Sequence, residues 1–318
     1  MQRALVFPGQ GSQAVGMGRA LAEAFPTARL VFEEVDDALG QNLAKLMFEG
    51  PESDLTLTEN AQPALMAVSL AVVRVLEEEG GLQLPEHVGF VAGHSLGEYS
   101  ALAAARSLEL ADAARLLKRR GEAMQAAVPV GEGAMAALLG LELEVAQEVA
   151  AAASENPEGD DEVCAAANDN APGQVVVSGH RGAVERAVTL AAERGARRAI
   201  MLPVSAPFHC SLMAPAADAM SEALATTTLA PPTVPLIANV TASAVQEPET
   251  IRRLLVEQVT GMVRWRESVQ AMKQEGVEQL VEVGAGKVLS GLTRRIDKEL
   301  KGVALNEPAD IEDFLKSL

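Results

Sequence analysis

The sequence is short of cysteine, histidine and basic charge, and each shortage removes a class of function. Its two cysteines, Cys164 and Cys210, stand far apart without CxxC spacing. That pattern offers neither a disulfide framework nor a metal one, and it fits a reducing compartment. Four histidines in 318 residues are too few and too scattered to suggest a metal centre. The 26 Lys and Arg are outnumbered by 44 Asp and Glu, for a formal net charge of −18. Phosphate backbones need a basic face, so this balance argues against nucleic-acid binding. An acidic protein partner would need a local basic patch to dock. Arg252, Arg253, Arg264 and Arg266, or Arg294, Arg295 and Lys298, are the candidates, and either cluster also reads as an ordinary solvated face. Hydrophobic residues make up 48% of the chain, yet no continuous apolar stretch reaches the roughly 18 residues of a membrane span. The opening MQRALVFPG enters a strand without the features of a secretory signal, so the expectation is a soluble, cytoplasmic protein.

What is present is enough chain for one large domain carrying a smaller one. Up to residue 128, strand-like ALVFP and VGFVAGH alternate with the helical AQPALMAVSLAVVRVLEEE, which predicts α/β winding. From Gly131 the order becomes βαββαβ: GAMAALLG, ELEVAQEVAAAAS, EVCAAAN, QVVVSG, GAVERAVTLAAERG and RAIMLPV. That is the split-βαβ, ferredoxin-like pattern. The expected division is a large domain of residues 1–128 and 205–318 with a small domain, 129–204, inserted in it. Within the small domain, SENPEGDDE reads as an exposed turn.

GHSLG, residues 93–97, sits between a strand and a helix, where a GxSxG turn lifts its serine onto a sharp elbow. Ser95 is therefore a candidate nucleophile, facing the positive end of the following helix. A serine needs a base within hydrogen-bonding reach. His94 adjoins Ser95, so strand alternation turns it away and makes it a packing residue. His87 and His180 read as surface residues, and elimination favours His209, in the loop SAPFHCSLM. No one of the 44 acidic residues can be selected as a triad carboxylate. In ADAARLLKRRGEAMQAA, Arg120 falls on the apolar stripe of Ala113, Leu116, Leu117, Met124 and Ala127. A buried guanidinium needs an anion: either an internal carboxylate or a substrate carboxylate gripped bidentately. GQGSQ, residues 9–13, is a second glycine-rich turn after a strand, where Gln10 could face a developing oxyanion or simply close a turn.

Seven blocks carry a resemblance: FPGQGSQ, GHSLGEYSAL, RRGEAM, GAMAALLGL, NAPGQVVVSG, SAPFHCSLM and VEQVTGMVRW. Together they resemble the malonyl-CoA:acyl-carrier-protein transacylases of bacterial fatty-acid synthesis. The resemblance implies an α/β-hydrolase-like large domain with an inserted ferredoxin-like small domain and an active site between them. It implies Ser95 as the acylated residue, His209 as its base and Arg120 as the grip on the malonyl carboxylate. Gln10 and the N–H of Leu96 match the oxyanion hole, and Gln258 matches the residue whose main-chain carbonyl orients the histidine, so no triad acid is needed. Asn170 and Gln174 match a segment approaching the cleft, and Met124, one turn beyond Arg120, completes the substrate-binding set with Phe208. The bulky Phe208 favours malonyl over methylmalonyl. The implied partners are malonyl-CoA and a phosphopantetheine-bearing acyl carrier protein, with no cofactor or metal, acting as a monomer. A polyketide acyltransferase working in trans, a serine thioesterase or hydrolase, and a non-catalytic scaffold are the alternatives.

Overall fold

The computed structural model describes residues 2–156 and 159–317, so Pro157 and Glu158 of the predicted turn SENPEGDDE lie outside the described residues. The fold is mixed α/β, built on two sheets. Strands β1 (Arg3–Phe7), β2 (Phe90–Gly93), β7 (Leu236–Ala238), β8 (Ser243–Val245), β9 (Gln279–Val283) and β10 (Lys301–Leu305) form the larger. Its order is β10-β9-β1-β2-β7-β8, parallel throughout except for the β7–β8 pair. The smaller contains β3 (Gly133–Leu139), β4 (Cys164–Ala171), β5 (Gln174–His180) and β6 (Arg198–Met201), antiparallel in the order β4-β5-β3-β6.

The apolar runs of β1 and β2 are buried on both faces, as strands at the centre of a parallel sheet must be. Because these neighbours are parallel, their carboxyl ends lie side by side, and GQGSQ and GHSLG emerge together at one edge. The helix Thr58–Gly80 is apolar almost all round and runs through the core. Three of its four buried polar residues, Thr58, Asn60 and Gln62, cluster in its first turns, and the fourth, Ser69, donates to the Val283 carbonyl at 2.8 Å. The helix Leu110–Ala126 crosses it at Gly121, where a β-carbon would come within 2.5 Å of Glu59 Cα. That close crossing brings Arg120 beside Gln62. The buried stripe is wider than spacing suggests, since Ala114 and Gly121 join it while Ala127 is half-buried.

In the smaller sheet, alternation divides the work of the side chains. Ala134, Ala136 and Leu138 of β3, with Val175 and Val177 of β5, pack against the helices Leu143–Ser154 and Arg181–Glu193. Met135 and Val176 point the other way, toward the larger core. Two register shifts in β4 accompany the segment carrying Asn168 and Asn170. Between them Asp169 turns to pair with Arg266 at 2.9 Å. This ion pair and the bridge between Asn168 and Val263 fasten the smaller sheet to the rest. Arg252, Arg253 and Arg264 likewise meet Glu249, Glu257 and Glu267, so the first basic cluster is largely neutralised in place.

Gly93 makes the tightest test of this frame. A β-carbon there would lie 1.8 Å from the carbonyl carbon of Gly97, with no flexible side chain to yield. Gly93→Ala is expected to cost at least about 3 kcal/mol in urea denaturation. Gly291, in the exposed part of the helix Val288–Ile296, has open space around its Cα. Gly291→Ala is expected to stabilise the same protein by roughly 0.5–1 kcal/mol.

Candidate active site

After Gly93 the chain turns through Ser95, whose φ of 53° places an L-residue in the left-handed region. The strained turn is held from behind by Asn239, which follows β7. Ser95 N–H donates to Asn239 Oδ1 at 2.8 Å, and Asn239 Nδ2 donates to the carbonyl of Gly93 at 2.7 Å. Leu96 then opens the helix Gly97–Ala104.

His209 reaches it from a separate loop, also with positive φ, 58°. Its Nε2 lies 2.7 Å from Ser95 Oγ, while Nδ1 faces the carbonyls of Gln258 at 2.9 Å and Gly261 at 3.1 Å. A carbonyl can only accept, so Nδ1 carries the hydrogen and Nε2 offers its lone pair to the hydroxyl. Carbonyls thus fill the place of a triad carboxylate. Burial, reinforced by the charge of Arg120, pushes the His209 pKa down to about 3.

That depression has a measurable sign. The neutral imidazole is the useful base, and it persists well below the ordinary histidine pKa of about 6.5. The acid limb of kcat/KM for acylation by an acyl thioester is expected below pH 5. A limb near pH 6.5 would mean that the base is not this buried histidine. For folding the unfolded chain binds the extra proton, so this contribution is complete above about pH 6.5 and is lost as pH falls toward 3.

Arg120 is 1% exposed and lies against the same hydroxyl. Nη2 donates to Ser95 Oγ at 3.2 Å and to Gln258 Oε1 at 2.8 Å, and Nη1 donates to Gln62 Oε1 at 2.9 Å. The Tyr99 ring lies 5.9 Å from the guanidinium carbon. Among the described residues no carboxylate forms an ion pair with Arg120. Of the two anions that the sequence leaves open, the internal salt bridge is therefore not formed.

These groups face a cavity of about 550 Å³. Gln10, Leu96, Met124, Phe208 and Asn170 all line it, together with Ser95, His209 and Arg120. Gln10 Nε2 donates to Thr58 Oγ1 at 3.1 Å, which leaves its second amide hydrogen free of that bond. Met135 and Val176 supply an apolar wall from the smaller sheet. Two expectations need correction. Gln174 is not in the lining: at the start of β5 its Oε1 accepts from Arg295 at 2.8 Å, outside the cavity. His94 is more than packing, since its ring lines the cavity, with Nε2 2.8 Å from Asn170 Oδ1 and Trp265 5.8 Å away. Strand alternation fails there because β2 has already ended and Ser95 leaves the extended region.

The acyl transferase domain model matches residues 4–305 of the chain. The chain belongs to the acyl transferase family. Malonyl CoA-acyl carrier protein transacylase of Bacillus subtilis (strain 168) is 46% identical over 99% of this chain and 96% of its own length. The crystal structure of acyl-carrier-protein S-malonyltransferase from Bartonella henselae superposes with a TM-score of 0.96 at 56% identity, covering 100% of this chain and 99% of that one. A malonyl-transacylase solved in complex with its holo type II PKS acyl-carrier protein superposes at 0.95 with 42% identity, over 100% of both chains. Three side chains in the site of this acyl transferase carry no sequence signal: Gln62, Glu98 and Asn239. Only their contacts reveal them, across 58 residues for Gln62 to Arg120 and 141 for Asn239 to Glu98.

Proposed function

We propose that this acyl transferase moves a malonyl group from malonyl-CoA to the phosphopantetheine thiol of an acyl carrier protein, through an ester on Ser95. The observation that carries the reading is Arg120: a buried cation, without a carboxylate partner among the described residues, within 3.2 Å of the nucleophile. Neutral amides orient it and leave its charge for an incoming anion. A malonyl group carries such an anion two bonds from its thioester carbonyl.

In the forward half-reaction His209 Nε2 takes the proton of Ser95 as Oγ attacks the thioester carbon. The C=O bond opens to an oxyanion that the Leu96 N–H and Gln10 are placed to receive. The C–S bond then breaks, CoA leaves, and His209 returns the proton to the thiolate. In the second half the carrier thiol gives its proton to His209, attacks the ester and displaces Ser95 Oγ, which regains that proton. Met124, Phe208 and Asn170 shape the acyl pocket, with Phe208 set against an α-methyl group. Gln258 orients His209 through its main chain. No cofactor or metal enters this scheme, and we take the protein as a cytoplasmic monomer.

The same reading divides the chain into a hydrolase-like large domain, 1–128 and 205–318, and a ferredoxin-like small domain, 129–204. The parallel order of the larger sheet and the β4-β5-β3-β6 order of the smaller support that division. A carrier of polyketide synthesis is the second reading, favoured by the relative solved with such a carrier.

The test is intact mass after brief incubation with malonyl-, acetyl- or methylmalonyl-CoA, followed by holo carrier protein. A malonyl adduct on Ser95 that discharges onto the carrier is expected, with little methylmalonyl adduct. An adduct lost to water at the same rate with or without carrier would make the protein a hydrolase.

A further inference from the structure

Glu98 stands in the first turn of the helix after the nucleophile elbow, 1% exposed, and the scheme above gives it no part. Its two oxygens are both occupied by donors. Oε1 accepts from the Asn239 N–H at 2.6 Å, and Oε2 accepts from Gln258 Nε2. In its ionised form the carboxyl can only accept, so Gln258 turns its amide nitrogen toward Glu98, as the Ser95 carbonyl also requires. The amide oxygen of Gln258 is then forced to the opposite side. There it accepts from Arg120 Nη2 at 2.8 Å.

Gln258 Nε2 also donates to the Ser95 carbonyl at 2.9 Å, and the Gln258 main-chain carbonyl holds His209 Nδ1. One residue therefore touches clamp, elbow and base, and Glu98 and the Ser95 carbonyl together fix which way its side chain faces. We propose that Glu98 is a positioning residue that sets the orientation of the Gln258 amide and, through it, the aim of Arg120 at the acyl carboxylate. The proposal deepens the malonyl-transfer reading and rests on it. Burial, opposed by the Asn239 and Gln258 bonds and by Arg120, places the carboxyl pKa at about 8. Near pH 7 the carboxyl is thus largely protonated, and its charged form takes over as pH rises through about 8.

Glu98→Gln supplies the decisive perturbation. A glutamine has one acceptor and one donor end, so one of its two neighbours meets donor against donor. With the new NH₂ toward Gln258, that amide turns over or loses its partner and Arg120 Nη2 faces an NH₂ group in place of an oxygen; with it toward the Asn239 N–H, the main chain that braces Ser95 is displaced instead. Glu98→Asp keeps two acceptor oxygens on a side chain one methylene shorter, so it preserves the acceptor that the Gln258 amide meets.

Acylation by malonyl-CoA and by acetyl-CoA would be measured for wild type, Glu98→Gln and Glu98→Asp on the alkaline side of the carboxyl pKa of about 8, with thermal midpoints alongside. Glu98→Gln is expected to lower kcat/KM for malonyl-CoA by about 10²-fold, the cost of a misaimed group, and to lower that for acetyl-CoA much less. Glu98→Asp is expected to retain at least roughly tenfold more malonyl activity than Glu98→Gln, since it keeps the acceptor although it changes the side-chain length. Glu98→Gln within about threefold of wild type would overturn the proposal. So would equal losses on both thioesters, a Glu98→Asp variant no better than Glu98→Gln, or failure of both variants to fold, since Glu98 would then be a folding element. Absence of a malonyl adduct on the wild-type protein would sink the malonyl-transfer reading instead, and the two failures are distinct.

Discussion

Ser95→Ala is expected to leave no malonyl adduct and to lower turnover by roughly 10⁴- to 10⁶-fold, the range found when a nucleophile of a serine–histidine pair is removed. The geometry makes the expectation sharp. His209 Nε2 has Ser95 Oγ at 2.7 Å, and its other nitrogen is committed to two carbonyls, so the imidazole has one direction in which to accept a proton. Because the pair acts as a unit, His209→Ala should cost nearly as much as Ser95→Ala. The double variant should be no worse than the worse single, since one working half has no function without the other. Intact mass with malonyl-CoA and steady-state transfer to carrier protein measure both effects. A malonyl adduct that survives Ser95→Ala, or losses that add in the double variant, would place the chemistry on another side chain.

How much of this was legible beforehand depends on whether a residue's role follows from its neighbours in sequence. ALVFP and VGFVAGH read as buried strands because short apolar runs end in turn residues, and both are strands of the larger sheet. The βαββαβ order after Gly131 reads from alternating periods of two and 3.6 and recurs as β3 to β6 with two helices. Arg120 was legible because a charge on an apolar helical stripe breaks the pattern, and it is buried. His209 emerged by elimination, which needs only that histidines be few. Asn239 and Glu98 were illegible for a common reason. One ends an apolar strand and the other opens a helix, positions where polar residues are ordinary, and their roles exist only through pairing across the sheet. The carbonyls facing His209 belong to the main chain, which has no side-chain signature at all. Gln174 shows the opposite error: a motif match puts it near the cleft, but its side chain binds Arg295 on the outside.

Arg120→Ala should separate recognition from chemistry more cleanly than any change at the dyad. Two charge-assisted hydrogen bonds to a carboxylate, at about 1.5–3 kcal/mol each, predict a loss of roughly 10²- to 10⁴-fold in kcat/KM for malonyl-CoA. Acetyl-CoA has no carboxylate to lose, so its reaction should hold or improve. The removed side chain also donates to Ser95 Oγ, a bond that competes for the hydroxyl and withdraws charge from the nucleophile. A second consequence follows from the same charge. After burial, Arg120 is the largest influence holding the His209 pKa down. Without it the imidazolium form is less disfavoured, and the acid limb for acetyl transfer should move toward neutral pH. Removal of the guanidinium also leaves the buried Gln62 and Gln258 amide oxygens without their donor and takes away the charge that favours ionised Glu98, so some loss of thermal stability is expected alongside. Arg120→Lys should rescue little of the malonyl rate, since a single ammonium cannot hold Gln62, Gln258 and a carboxylate in one plane. Equal losses on malonyl- and acetyl-CoA, with an unmoved acid limb, would make Arg120 a structural cation and remove the basis for assigning a dicarboxylic substrate.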